Sequence, residues 1–208
     1  MKNNVLKSRH QFLILSFIMF FAVSDSAVAS VALFESFDSV LLCGKPEGWT
    51  VNNFGVDEGW YFNEGLQFNE TGANGCYAFA KSDEQPQYMD TVLVTPSINC
   101  SATDCEILSF RHYTRADKSE TTFTVEISTD EGGVWSEIWR KEHEGDTNDR
   151  KQIEFIDIKA IANDQPNVQL RFHYTAFNDW EWQVDDVKVA SKFNWVLFLP
   201  AIIAKTNL

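Results

Sequence analysis

Glu35 and Asp38 near one end of the chain, with Asp185 and Asp186 near the other, have the residue type a calcium site requires, since calcium takes six to eight oxygen ligands. In Leu33-Phe34-Glu35-Ser36-Phe37-Asp38 the period of two puts Glu35 on the same strand face as Leu33 and Phe37. A carboxylate there needs a partner, because an unpaired buried charge is very costly. In Trp180-Glu181-Trp182-Gln183-Val184-Asp185-Asp186-Val187-Lys188-Val189 the apolar positions run 180, 182, 184 and then 187, 189. The phase flips at the Asp pair, which predicts a bulge or bend. One cation clasping the first strand to the last accounts for both irregularities, with Asp185 favoured over Asp186. The alternative is an ion pair between Glu35 and a Lys or Arg, with the two aspartates capping a solvated strand end.

Catalytic patterns are sparse. His112, His143 and His173 fall in no G-x-S-x-G, H-E-x-x-H or Cys-His signature, and His112 and His173 read as hydrogen-bonded strand residues. Paired carboxylates serve glycoside hydrolysis only at a set separation, which sequence does not supply. Trp60-Tyr61-Phe62 and Phe177-Asn178-Asp179-Trp180-Glu181-Trp182 are the densest aromatic stretches. Trp60 and Trp180 lie near turns and are the expected exposed platforms for a sugar or a protein partner, whereas Trp139 and Trp182 alternate into the core. Ser128-Thr129-Asp130-Glu131-Gly132-Gly133-Val134-Trp135 resembles an Asp-box hairpin and reads as structural: Asp130 bonds the following backbone and the glycines permit positive φ.

These residues must be carried by strands. Residues 107–113, 121–128, 134–140, 151–157, 168–174 and 180–189 all show strand character, separated by polar turns, with a single helical turn expected near 157–162. Short strands joined by polar connections predict an all-β, two-sheet antiparallel sandwich. Cys43, Cys76, Cys100 and Cys105 suit an oxidising compartment. Three pairings are open to four cysteines; the short Cys100–Cys105 spacing favours 100–105 with 43–76. A zinc site is the weaker reading, for want of C-x-x-C or nearby His.

Residues 1–29 have the pattern of a secretory signal peptide: a basic start with Lys2, Lys7 and Arg9, an apolar run from Phe12 to Val23, and Ala27-Val28-Ala29 before the expected cleavage. The run is about a dozen residues, where a membrane span needs roughly 20. The domain is then 30–190, followed by the apolar tail 191–208, in which Phe193 to Ala204 is too short and Pro-interrupted to span a bilayer. That tail reads as a segment for docking on a partner or a membrane surface, an extra strand covering the sandwich being the alternative. With 30 acidic and 17 basic residues and a net charge of −13, general nucleic-acid binding is excluded as a partner class.

Phe34-Glu35-Ser36-Phe37-Asp38, Pro46-Glu47-Gly48-Trp49-Thr50, Asp90-Thr91-Val92-Leu93-Val94-Thr95-Pro96, Leu108-Ser109-Phe110, Val125 to Trp135 and Val184-Asp185-Asp186-Val187, in that order, resemble the bacterial cleaved-adhesin or choice-of-anchor J domains, which are similar to MAM domains. The resemblance covers roughly residues 33–190. It implies a jelly roll, extracellular or cell-surface placement, adhesive or carbohydrate-associated roles, often structural calcium, and no catalysis; it adds Asp90 as a further metal ligand. The expectation is a secreted binding module for glycans or surface proteins, not an enzyme. The rivals are a secreted carbohydrate-active enzyme and a structural subunit of a surface assembly.

Overall fold

The computed structural model describes residues 30–39, 42–55, 59–62, 68–83, 88–141 and 145–191. Residues 1–29, where a signal peptide is expected, and all of the tail beyond Ser191 lie outside these. The described elements are β1 (Val31–Glu35), β2 (Thr50–Asn53), β3 (Trp60–Phe62), β4 (Ala78–Lys81), β5 (Tyr88–Val94), β6 (Ile107–Ala116), β7 (Thr122–Ser128), β8 (Ser136–Arg140), β9 (Thr147–Asp157), α1 (Lys159–Ala162), β10 (Gln169–Phe177) and β11 (Glu181–Ala190). No helix among the described residues is long and apolar enough to cross a membrane.

Two antiparallel sheets face each other as a jelly-roll sandwich. One runs β3-β4-β11-β6-β9 with β1 also on β11; the other runs β2-β5-β10-β7-β8. The alternation legible in β7 and β10 turns Phe123, Val125, Ile127, Leu170, Phe172 and Tyr174 inward, all buried. From the opposite sheet Phe110 meets Phe172 edge-on at 5.2 Å between ring centroids, and Trp182 meets Phe123 at 5.7 Å. These edge-to-face contacts lock the two layers together, each worth about 0.5–1.5 kcal/mol beyond the area it buries.

The phase flip in β11 is a bulge. Asp185 pairs with Arg111 and Lys188 with Ser109, so Asp186 and Val187 of β11 stand against Phe110 alone of β6, and Asp186 takes φ 47 to absorb the extra residue. The bulge is also where β11 changes neighbour. Through Val184 it pairs with β4, and from Val187 onward with β1. Cys43 is bonded to Cys76 and Cys100 to Cys105, with Cα separations of 5.4 and 5.5 Å.

Candidate functional site

Asp185 points away from the core by strand alternation, yet it is fully buried, because the segment from Asn69 to Cys76 lies over it. Asn69 Nδ2 donates to Asp185 Oδ2 at 2.9 Å, and the Asp186 N–H donates to Asp185 Oδ1 at 2.7 Å. Asp38 follows β1, and its Oδ1 accepts the Cys76 N–H at 2.7 Å. A Cβ on Gly75 would stand 2.0 Å from that same oxygen, so glycine, here at φ +83, is what admits the carboxylate. Glu35 Oε1 accepts the Phe37 N–H at 2.7 Å, closing the turn in which Phe37 has φ 58.

The electrostatics tie three of these acids together. Burial pushes Asp185 up to about 7 against its hydrogen bonds from Asn69 and Asp186, and the charges of Asp186 and Asp38 add to the rise. Burial also raises Glu35, with the charge of Asp38 contributing. The other two expected ligands are placed differently. Asp186 turns its carboxylate to Arg111, 3.1 Å from Nε. Asp90 sits on β5 in the opposite sheet, where Oδ1 lies 2.7 Å from His173 Nε2. Its position before the Leu-Val-Thr-Pro strand did not reveal which sheet that strand joins. Glu35, Asp38 and Asp185 carry the carboxylate oxygens that calcium takes, but Asn69 turns its Nδ2 to Asp185 while its Oδ1 accepts the Thr71 N–H at 3.0 Å. Among the described residues no three His, Cys, Asp or Glu side chains stand close enough together to hold a metal ion as they are.

Neither expected aromatic platform is bare. Trp60 is a correction: β3 pairs it with Ala80, and it is 4% exposed with its ring 5.4 Å from that of Trp182. Proximity to a turn did not keep it out of the core, because its strand lies on a sheet whose inner face is already aromatic. Trp180 is half-buried beneath Arg115, whose guanidinium carbon stands 3.3 Å from the ring centroid, so one face is taken by a cation.

An open groove of about 470 Å³ lies on the outward side of the five-stranded sheet. Val92 and Val94 of β5 line its floor, Thr50 and Asn52 of β2 with Phe54 stand on one side, and Trp135 with Gly132 on the other, beside Gln169 and Arg171 of β10. The register explains the grouping, since Thr50, Val94 and Arg171 are direct cross-strand partners and project to one face. Glu126 continues the same row, and its carboxylate grips the Arg171 guanidinium through two nitrogens, the longer bond 2.9 Å. Burial would raise Glu126, but Arg171 outweighs it and holds the carboxyl below its ordinary value. His173 bridges Glu126, 3.3 Å from Nδ1, to Asp90.

Trp135 owes its position to the hairpin between β7 and β8. Ser128 Oγ donates to Asp130 Oδ1 at 2.7 Å, and the same oxygen accepts the Val134 N–H at 2.9 Å. The Val134 N–H, then the Ser128 hydroxyl, keep Asp130 ionised below the usual carboxylate range. A Cβ at Gly132 would meet Trp135 Cζ2 at 3.3 Å, so the glycine leaves room for the indole. Arg171 covers part of that indole, 4.5 Å from its centroid. The Asp-box-like residues mark this hairpin in the sequence, but nothing local to them shows the groove, which also needs β2, β5 and β10.

No protein-family model and no curated protein matches the chain. Solved structures do. The K1 cleaved adhesin domain of Lys-gingipain from Porphyromonas gingivalis superposes with a TM-score of 0.55 at 16% identity, over 76% of this chain and 96% of that one. The K2 domain of Lys-gingipain gives 0.55 at 14%, over 76% and 96%. The K3 domain from the same organism gives 0.50 at 15%, over 78% and 100%. At these identities the likeness establishes the fold, a jelly roll of the cleaved-adhesin kind.

Proposed function

We propose that this protein is an extracellular binding module that takes a glycan in the groove on its five-stranded sheet. The observation that carries the reading is the groove itself: an indole held by a hydrogen-bonded hairpin lines it together with Asn52, Gln169, Thr50, Arg171, Val92 and Val94. Sugars present apolar ring faces rimmed by hydroxyls, and a half-apolar groove with a few fixed polar groups suits them. Arg171 is already neutralised by Glu126, so the site favours uncharged sugars over acidic ones. The adhesin-type fold and the two disulfides agree with a role outside the cell. The test is calorimetric titration against a panel of neutral oligosaccharides with the native chain and with Trp135→Ala. The native protein should bind at least one, and the variant should lose that binding while keeping its far-ultraviolet circular dichroism. Equal affinity in both would refute the assignment.

A calcium ion at the junction of β1 and β11 belongs to the same proposal, as a stabiliser. Glu35, Asp38 and Asp185 are the groups that would hold it, once their carboxylates turn toward a common centre. The support is electrostatic: the charge of Asp38 raises both Glu35 and Asp185, so negative charge accumulates where the two strands must be kept together and a cation there would relieve it.

A further inference from the structure

The outer face of the six-stranded sheet carries an apolar patch that neither the groove nor the acidic junction uses. Beyond the bulge the strands run β1-β11-β6-β9, and their registers set two rows across that face. One is Val31, Ala190, Ile107 and Asp157; the next is Phe34, Lys188, Ser109 and Phe155, with Ile153 one step further along β9 opposite Arg111. Direct cross-strand partners project to the same side, so Val31 and Phe34 at one edge share a surface with Ile153 and Phe155 at the other. They are exposed by 47, 58, 42 and 57% respectively. Large apolar side chains exposed together on one face, with Lys188 and Ser109 between Phe34 and Phe155, mark an interaction site.

The chain itself supplies an occupant. The last described residue, Ser191, follows Ala190 in the first of these rows, and its N–H donates to the Ser30 carbonyl at 3.1 Å. The stretch from Phe193 to Ala204, with Trp195, Leu197, Phe198 and Leu199, therefore begins at the rim of the patch. Two rows and the position beyond them span about 14 Å along the strands, and a dozen extended residues reach about 40 Å. The segment is long enough to turn back at the Lys192-Phe193-Asn194 step and cross the whole surface. Asn is a residue that tolerates the left-handed backbone such a reversal uses. An effective concentration set by a link of a few residues favours this occupant over any separate molecule.

We infer that the apolar segment 193–204 folds back onto the outer face of the six-stranded sheet of its own chain, against Val31, Phe34, Ile153 and Phe155. The segment is thus a cover for the sandwich rather than a membrane or partner anchor.

The full chain carrying the photo-crosslinker p-benzoylphenylalanine in place of Phe34 tests this, since an exposed position tolerates the added ring. Irradiation at low micromolar concentration, followed by mass spectrometry, should join residue 34 to a peptide from 193–204 within a monomer. A cross-link between two chains would put a second copy on the patch, and no cross-link to 193–204 would leave the segment elsewhere; either overturns the inference. Deletion of residues 193–208 gives an independent readout. The shortened chain should bind bis-ANS several-fold more strongly than the full chain, and Phe34→Asp with Phe155→Asp in the shortened chain should abolish the increase. Unchanged dye binding on deletion would also overturn it.

Discussion

Replacing Asp185 by asparagine separates the cost of its buried charge from the benefit of a cation beside it. An aspartate ordinarily ionises near 3.8, and burial moves this one to about 7. Between those values the native state keeps a proton that the unfolded chain has lost. Stability must therefore fall as pH rises from about 4 to about 7 and stay low above that. About three pH units at 1.36 kcal/mol each amount to about 4 kcal/mol. Asparagine keeps the shape without the charge and, like the protonated acid, one carbonyl oxygen to accept from either the Asp186 N–H or Asn69 Nδ2. In chelator at pH 8, Asp185→Asn should be more stable than the native chain by up to about 4 kcal/mol, an increase in melting temperature on the order of 10 °C for a domain of this size. At pH 4 the two should melt together. In millimolar calcium the order should reverse, because the carboxylate then faces a cation and the amide is a poorer ligand. Differential scanning calorimetry at the two pH values, with chelator and with calcium, gives all four comparisons. A variant that melts below the native chain in chelator at pH 8 would refute the electrostatic argument, and an order indifferent to calcium would refute the cation.

Other parts of the molecule make separate demands. Cys43→Ser with Cys76→Ser opens a cross-link of sequence separation 33 and should cost about 4 kcal/mol in guanidinium denaturation. Trp180→Ala removes the stack under Arg115 and should cost about 1 kcal/mol while leaving glycan affinity unchanged in calorimetry. Trp60→Ala empties a core position and should cost about 3–5 kcal/mol by the same denaturation assay. Glu154 is held below its ordinary value first by the hydrogen bond from His112, whose Nε2 lies 3.1 Å away. The stability it gives is present above its unfolded value of 4.5 and is lost as pH falls through the lower folded value. Glu154→Gln should flatten that part of the acid limb of a stability-versus-pH curve.

Much of the sandwich can be read from period-two patterns, and the reasons for success and failure are physical. Phe123, Val125 and Ile127 alternate because β7 has one face in the core, and the Asp185-Asp186 phase flip is visible because a bulge shifts every later residue by one. Helix α1 is a single turn at Lys159–Ala162, within the stretch where one was expected. What sequence could not supply is which strands become neighbours. Asp38 comes within electrostatic reach of Asp185 because β1 takes over from β4 beside β11, and Asp90 departs because β5 belongs to the other sheet. Trp135 was legible as a hairpin residue but not as a groove wall, since its companions Asn52, Val92 and Arg171 come from three other strands. Trp60 is buried rather than exposed for a related reason: exposure depends on what packs across from a short strand, here Trp182, far along the chain.

The most direct measurement is a glycan titration followed by nuclear magnetic resonance of the indole N–H signals. With a neutral oligosaccharide that binds, the Trp135 signal should shift progressively with ligand, while those of the buried Trp49, Trp60 and Trp182 stay in place. A titration that saturates with Trp135 unmoved and another tryptophan shifted would contradict the groove as the binding site.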